Sequence, residues 1–199
     1  PENNFTGLEP EQRGRRSLTV RMTGGMPTLL IAYKIPEATH EDLPVLHVLS
    51  MILSNGKSSR LARLLVDSGL STMQAVGASW FRDPGLFTLL SMFAKEESLI
   101  EVETAIETCL DDLKKALVSK EEVTRALKKL KAHTLYARDG SFSLASELNE
   151  AIAAGDWKLY TRFLERAKSV TPEQIMEVAT RYFNDDTKTT GTYLPTSLP

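Results

Sequence analysis

Cysteine is almost absent from this sequence, since Cys109 is the single thiol in 199 residues. One thiol excludes an internal disulfide and a zinc cluster built from cysteines, although it does not determine the cellular compartment. Long apolar runs are also absent, because the longest hydrophobic stretches have only the length of a strand. The sequence therefore predicts no segment that inserts into a membrane. Its start at Pro1 suggests a fragment or a processed product, so a missing signal peptide says nothing about the parent protein.

An excess of charge of one sign is missing as well. The 24 basic and 26 acidic side chains nearly cancel and leave a net charge of −2. This balance gives no reason to expect nucleic acid or an anionic membrane surface as a partner. The sequence contains no phosphate-binding loop, dinucleotide fingerprint or Gly-x-Ser-x-Gly motif. What is present, 42% hydrophobic and 25% charged residues, is typical of a globular domain with a core of its own.

The stretch from Leu43 to Leu70 is rich in leucine and predicts two short helices separated by a break at Asn55-Gly56. Pro44 suits the first turn of a helix, and asparagine and glycine tolerate the left-handed conformation that ends one. The apolar residues at helical spacing are Leu46, Leu49, Ile52 and Leu53 in the first helix, and Leu61, Leu64 and Leu65 in the second. We expect both helices to pack through these residues against one face of a sheet.

Apolar patterns of two kinds predict strands on either side of this stretch. Leu18, Val20 and Met22 alternate with polar residues, which predicts a strand with one buried face. Residues 28–35 form a nearly continuous apolar run, which is typical of a more deeply buried strand. Residues 188–194 have the β-branched and aromatic content of a last strand.

A hairpin is predicted after the two helices. Residues 73–82 and 86–94 both resemble strands, and they flank the turn sequence Asp83-Pro84-Gly85. Proline and glycine at these positions favour a tight connection between antiparallel strands. An antiparallel pair excludes a sheet in which all strands are parallel.

The remaining sequence is mostly helical, and Ser/Thr-x-x-Glu/Gln motifs mark three helix starts. They are Ser98-x-x-Glu101, whose helix carries an apolar stripe that extends to Leu117, Ser119-x-x-Glu122 and Thr171-x-x-Gln174. Helices gathered in blocks around a hairpin predict a layered α+β fold. Residues 1–16 are predicted to be a linker or N-terminal arm, and residues 17–199 a single domain.

Several short motifs in this order resemble the pitrilysin/insulinase family of zinc peptidases, the inverzincins. They are Gly56-Lys57-Ser58-Ser59-Arg60-Leu61, Asp83-Pro84-Gly85-Leu86-Phe87, Thr171-Pro172-Glu173 and Tyr193-Leu194-Pro195. Order and spacing carry the resemblance, which covers nearly the whole chain from about Arg13 onward. It implies the second, non-catalytic half-domain of a processing-peptidase-like fold, which is an α+β fold with a mainly antiparallel β-sheet and helices packed on one face.

The resemblance also implies where catalytic chemistry would lie. The catalytic half of the family carries His-x-x-Glu-His on a helix, where the histidines bind zinc and the glutamate activates the zinc-bound water. The corresponding positions here are His47, Ser50 and Met51, so the base and the second histidine are missing. His40 and His133 lie in other segments and do not complete the site. We therefore predict no catalytic residue and no metal ligand in this chain, with zinc held by the partner half.

A second family feature is a polar clamp on the substrate backbone. In many members the second half supplies an arginine and, seven residues later, a tyrosine. Counted from the Gly69-Leu70 match, the corresponding positions are Leu65 and Thr72, and both depart from the family pattern. We expect these two positions to lie close to a partner-facing surface near residues 56–60 and 73–82.

The resemblance implies a chain that is inactive alone and docks against a zinc-bearing half, in the same polypeptide or in a separate subunit, to enclose peptide substrates. The alternative is a non-proteolytic structural subunit of the same fold, as in the core proteins of a respiratory complex. A module that binds a small molecule or nucleic acid is disfavoured by the near-neutral charge and the missing phosphate loop. The presence or absence of a His-x-x-Glu-His motif upstream in the parent gene would distinguish the first two hypotheses.

Overall fold

The structure is a computed structural model that describes residues 10–136 and 140–196. Its strands are β1 Arg16–Thr23, β2 Thr28–Ile35, β3 Met73–Ala78, β4 Gly85–Met92 and β5 Lys188–Thr196. Its α-helices are α1 Leu43–Ser54, α2 Leu99–Lys115, α3 Lys120–Tyr136, α4 Ser141–Ala153, α5 Leu159–Lys168 and α6 Pro172–Tyr182. No helix within the described ranges combines the length and the apolarity needed to cross a membrane.

The strands form one five-stranded sheet in the order β1-β5-β2-β4-β3. β2 is antiparallel to both of its neighbours, and β3 is antiparallel to β4. β1 is parallel to β5, which brings the first and last strands of the chain together. The fold is therefore α+β with a mainly antiparallel sheet, which confirms the sequence-based prediction.

The core lies between one face of this sheet and the helices. Alternate residues of the central strands point to that face, where Ile31, Tyr33, Phe87 and Leu89 are almost completely buried. Phe183, which follows α6, packs its ring against Tyr33 and Phe87 at centroid distances of 4.9 and 5.0 Å. The period-two alternation of β2 and β4 thus directs large apolar side chains toward the helices.

α1 is the central helix of the core. Its buried residues lie on nearly all sides and include Leu46, Leu49, Ile52 and Leu53, as predicted. One side contacts β3, and other sides contact α3, α5 and α6. The sheet therefore covers only part of α1, and a second layer of helices buries the rest.

The second predicted helix differs from the prediction. It begins as a single α-helical turn and widens into a π-helical turn over Ala62–Val66, in which the Asp67 N–H donates to the carbonyl of Ala62 at 3.0 Å. Leu61 and Leu65 are buried, but Leu64 is 38% exposed. The prediction that Leu64 is buried is therefore wrong, because the wider turn changes which side chains face the core.

The predicted hairpin is confirmed, but its connection is longer than a tight turn. β3 ends at Ala78, which pairs with Phe87, and residues 79–84 form the connection. Ser79 closes it, since its backbone N–H donates to the Leu86 carbonyl at 2.9 Å. The connection also makes a hydrogen bond outside the hairpin, in which the Ala38 N–H donates to the Phe81 carbonyl at 2.8 Å. A hydrogen bond to a distant segment therefore helps to fix this connection, which is not a tight local turn.

Two of the three predicted capping motifs are formed. Ser119 and Glu122 bond reciprocally at the start of α3, and Thr171 and Gln174 do the same at α6. Ser98 makes no cap, because a 3₁₀ turn over Glu96–Ser98 runs directly into α2. α2 also ends at Lys115, so Leu117 lies outside the apolar stripe and is exposed.

β1 is the largest departure from the sequence-based prediction. Every residue of this strand is exposed, including Leu18, Val20 and Met22, which were expected to be buried on one face. β1 is an edge strand, and its alternate residues share a face with Gly191, Tyr193 and Pro195 of β5, away from the core. The alternating pattern predicted the strand correctly, but it wrongly suggested that one face of the strand is buried.

The chain is anchored to the domain just before β1. Gln12 is buried, and its Nε2 donates to the carbonyl of Lys188 at 2.7 Å. The Gly14 N–H donates to the Asp186 carboxylate at 2.9 Å. Residues 1–9 of the predicted arm lie outside the described residues, so the boundary between residues 16 and 17 stays a prediction.

Candidate functional site

α1 presents His47 and Met51, one helical turn apart, to a single cavity of about 330 Å³. We call it the His47 cavity. It lies between α1, the β3–β4 connection, α3, α4 and α5, and the residues that line it are His47, Met51, Trp80, Leu130, His133, Thr134, Ser146, Glu147, Glu150, Ala151, Leu159, Tyr160 and Phe163. The i and i+4 positions that hold two zinc ligands in the family motif thus face a common space, as helical geometry requires.

The imidazole of His47 is packed among aromatic rings. Its ring centroid lies 5.4 Å from Trp80 and 5.1 Å from Phe163, and those two rings meet edge to face at 4.8 Å. His47 Nε2 is buried and has no hydrogen-bond partner among the described residues. Burial lowers the pKa of His47 from 6.5 to about 4, so the ring is neutral at physiological pH.

The other two positions of the motif hold groups that cannot replace a base and a ligand. Ser50 is buried, and its hydroxyl donates to the carbonyl of His47 at 2.8 Å. Met51 Sδ accepts a contact from the Asn55 side-chain amide at 3.0 Å. In the described part of the chain, no three His, Cys, Asp or Glu side chains come together as a metal site. These donors do not fit a catalytic zinc ion.

The remaining two histidines lie on other elements than His47. The His40 Nδ1 accepts from the Asp42 N–H at 3.1 Å, in the segment before α1. The Asp42 carboxylate in turn accepts from Arg181 and from the Tyr182 hydroxyl, which joins the start of α1 to α6. Burial and Asp42 raise the pKa of the Tyr182 phenol, which keeps it a donor. His133 lines the His47 cavity from α3 and is exposed.

The two clamp positions lie in different surroundings. Leu65 is completely buried in the core, and its carbonyl accepts from the Ser71 N–H at 2.8 Å. Thr72 is exposed just before β3, and its hydroxyl donates to the Met92 carbonyl at 3.1 Å. The Thr72 side chain is therefore accessible to a partner, whereas the Leu65 side chain is not accessible in this chain. That the two positions border a substrate chamber stays a prediction.

The arginine of the Gly56–Leu61 motif has a clear structural role. Arg60 forms two hydrogen bonds with the Glu122 carboxylate, at 2.8 and 3.0 Å, and so joins this turn to the start of α3. The hydrogen bonds from Arg60, together with Ser119, lower the pKa of Glu122 from 4.5 to about 2. Sequence analysis singled out both residues, in separate motifs, but gave no reason to pair them.

The sheet face that points away from the helices is the largest feature that sequence analysis missed. We call it the open sheet face. Its apolar residues that are each at least 39% exposed are Leu18, Val20, Met22, Leu30, Met73 and Leu86. The pairing registers place them on β1, β2, β4 and β3, with Tyr193 of β5 between β1 and β2. A contiguous apolar patch on a protein surface is a common feature of interaction sites.

Comparison with known proteins gives relatives of the same architecture. The chain is 26% identical over 184 residues to the zinc protease PqqE of Helicobacter pylori, covering 92% of this chain and 41% of that protein. A solved protease structure from Helicobacter pylori matches with a TM-score of 0.84 and 26% identity, over 94% of this chain and 45% of that one. The chain thus spans less than half the length of these relatives.

Two further structures share the fold. The inactive peptidase domain from Bordetella parapertussis matches with a TM-score of 0.80 at 24% identity, over 90% of this chain and 96% of that one. A chain of complex III from Candida albicans matches with a TM-score of 0.79 at 15% identity, over 91% of this chain and 46% of that one. The family model described as the peptidase M16 inactive domain matches residues 2–130. By this match, and as the motifs around residues 56–61 and 83–87 predicted, the chain belongs to the family of inactive M16 peptidase domains.

Proposed function

We propose that this chain is the non-catalytic half of a zinc metallopeptidase, which docks against a zinc-bearing half to enclose and help bind peptide substrates. The open sheet face carries this proposal. Leu18, Met22 and Met73 are exposed on this one face, and apolar side chains gathered on one face are typical of an interaction surface. Burial of that surface against a second domain would supply a hydrophobic driving force of association.

The division of labour follows from the chemistry of the site. His47, Ser50 and Met51 leave this half without a zinc ligand set and without a base, so zinc and the water-activating carboxylate belong to the partner in this proposal. The length ratio supports such a partner, because the chain corresponds to 41% of a relative named as a zinc protease. Leu65 and Thr72 replace the polar clamp, so this half would contribute a wall of the chamber more than polar contacts to the substrate.

The decisive experiment mixes this chain with a separately produced zinc-bearing half. We expect binding, together with a change in the rate or the size preference of peptide cleavage. Leu18→Lys combined with Met22→Lys places two charges on the open sheet face and should weaken binding at least tenfold. Ser17→Lys combined with Thr19→Lys is the matched control, since it adds the same charges to the opposite face of β1. The proposal fails if the zinc half cleaves at full rate alone and this chain changes neither property.

A second candidate function is that of a non-proteolytic structural subunit. The match to a chain of complex III favours it, although at 15% identity this likeness concerns the fold alone. The same open sheet face would then bind a structural neighbour. Chelator-sensitive cleavage by the reconstituted pair would support the peptidase function, whereas a stable complex without any cleavage would support the structural one.

A further inference from the structure

We propose that the His47 cavity binds an alkyl chain that carries a primary ammonium or guanidinium group, the chemistry of a lysine or arginine side chain or of a free diamine. This inference goes beyond the proposed function and does not depend on it. It rests on the size of the cavity, its aromatic wall and the sign of the charges that line it.

The cavity has the dimensions and the wall of a small-ligand site. Its volume of about 330 Å³ lies within the usual range for such pockets. Leu130, Ala151 and Leu159 are buried along it and would contact methylene groups. Trp80 and Phe163 are only partly buried, and both line the cavity.

The aromatic wall suits a cation. Trp80, Tyr160 and Phe163 all line the cavity, from the β3–β4 connection and from α5. The face of an aromatic ring attracts an ammonium or guanidinium group, most strongly when the ring is tryptophan. An alkylammonium side chain would thus bury its methylenes against leucine and its charge against the rings.

Among the described residues that line the cavity, the carboxylates outnumber the lysine and arginine side chains. Glu147 and Glu150 lie one turn apart on α4 and both line it, whereas none of its described lining residues is lysine or arginine. Burial keeps His47 neutral, so the floor of the cavity adds no competing positive charge. Hydroxyl groups of Thr134 and Ser146 add acceptors for N–H donors. An anion such as a phosphate would meet these two carboxylates, and no lysine or arginine among the described lining residues would balance them.

Trp80 provides a direct readout of binding. The sequence has two tryptophans, and Trp157 is exposed, so Trp157→Phe in the full chain leaves Trp80 as the single tryptophan, which is excited selectively at wavelengths that tyrosine does not absorb. We expect Nα-acetyl-lysine-amide to change its fluorescence with a dissociation constant on the order of 1 mM, as for other small ligands. The Nε-acetylated form of the same compound has the same chain without the charge and should bind at least tenfold more weakly.

Substitutions at Glu147 and Glu150 test whether these carboxylates recognise the positive charge of the ligand. Glu147→Gln combined with Glu150→Gln should weaken Nα-acetyl-lysine-amide at least tenfold, whereas Glu165→Gln, on the exposed face of α5, should leave it unchanged. Cadaverine, a free diamine, tests which kind of ligand carries the ammonium group. Tighter binding of cadaverine than of the lysine derivative indicates a free diamine, and weaker binding indicates a peptide side chain. Equal binding of the charged and acetylated compounds, or no fluorescence change up to about 20 mM, overturns the proposal, and both are measured in Trp157→Phe, which replaces only an exposed side chain.

Discussion

Ion pairs connect elements that are far apart in the sequence. Arg60 binds Glu122, Arg181 binds Asp42, and Lys188 binds Glu107. They join the turn after α1 to α3, the start of α1 to α6, and β5 to α2. In each pair at least one side chain is largely buried, so loss of its partner would leave a poorly solvated charge.

The pair between Arg60 and Glu122 gives the first prediction. Glu122→Gln should reduce the free energy of unfolding at pH 7 by about 1–3 kcal/mol, because it removes the charge from a half-buried double hydrogen bond. The folded pKa of Glu122, about 2, lies below its ordinary value of 4.5, so the unfolded chain binds the proton first as the pH falls. The stabilisation is therefore present above pH 4.5 and is lost as the pH falls toward 2.

Urea unfolding of the parent chain and of Glu122→Gln at pH 7 and at pH 3 tests this prediction. The difference between the two proteins should shrink at pH 3. Glu165→Gln is the control, because Glu165 is exposed and pairs only with Lys168 one turn away, so its effect should be small at both values. A difference that is independent of pH would contradict the assigned role of Glu122.

His47 gives a prediction of pH dependence at higher pH. Its folded pKa of about 4 lies below its ordinary value of 6.5, so between these values only the unfolded chain takes up the proton. Stability should therefore fall by about 2 kcal/mol between pH 7.5 and pH 5 through this residue. His47→Leu should flatten the profile in that interval, and His133→Gln, which alters an exposed histidine, should not. An unchanged slope in His47→Leu would show that this ring is solvated.

Metal binding provides the third prediction. The purified chain, dialysed against zinc and then washed, should retain no stoichiometric zinc and should cleave no quenched peptide. Ser50→Glu combined with Met51→His should not create activity, because a catalytic zinc needs further protein ligands. Ser50 is also buried, so this variant should be less stable. Metal analysis with a peptide assay is the measurement, and chelator-sensitive cleavage by the parent chain would contradict it.

At the scale of elements, the helices after β2 yield a prediction with an internal control. Leu49→Ala and Leu61→Ala should each reduce the free energy of unfolding by about 2–5 kcal/mol, because both side chains are buried. Leu64→Ala deletes the same atoms in the same segment but at an exposed position, so it should cost about 1 kcal/mol or less. Chemical unfolding of the three variants is the measurement. Equal losses at Leu61 and Leu64 would contradict the π-helical turn.

The helix starts show how local signals and tertiary contacts compete. The capping boxes at Ser119 and Thr171 form because each motif stands at the true first turn of its helix. At Ser98 the same pattern fails, because Glu96 and Glu97 already begin a 3₁₀ turn that continues into α2. Arg21 on β1 also donates to Glu96 at 2.9 Å, a contact with a segment far away in the sequence.

At the scale of the whole molecule, the sheet has one buried face and one open face. Val20→Thr combined with Met22→Thr should leave the free energy of unfolding within about 0.5 kcal/mol, because both side chains are exposed. The same change should reduce any self-association of the isolated chain through its apolar surface. Sedimentation velocity and urea unfolding test the two expectations. A large loss of stability would mean that β1 contributes to the core.

Much of the architecture could be predicted from the sequence. Period-two alternation located β1, and the leucine spacing of residues 43–53 located α1, because both patterns depend on local backbone geometry alone. Through the family resemblance, the residue types at His47, Ser50 and Met51 likewise showed that the zinc-binding motif is incomplete at these positions. These conclusions required residue types and spacing and no knowledge of distant contacts.

The tertiary structure decided which side of each element is covered. The parallel pairing of β1 with β5 placed Leu18, Val20 and Met22 on an open face, and the π-helical turn exposed Leu64. The tertiary structure also brought Arg60 to Glu122, which lies 62 residues away in the sequence. Periodicity shows which residues share a face but not what packs against it, because that depends on strand order and on contacts between distant segments.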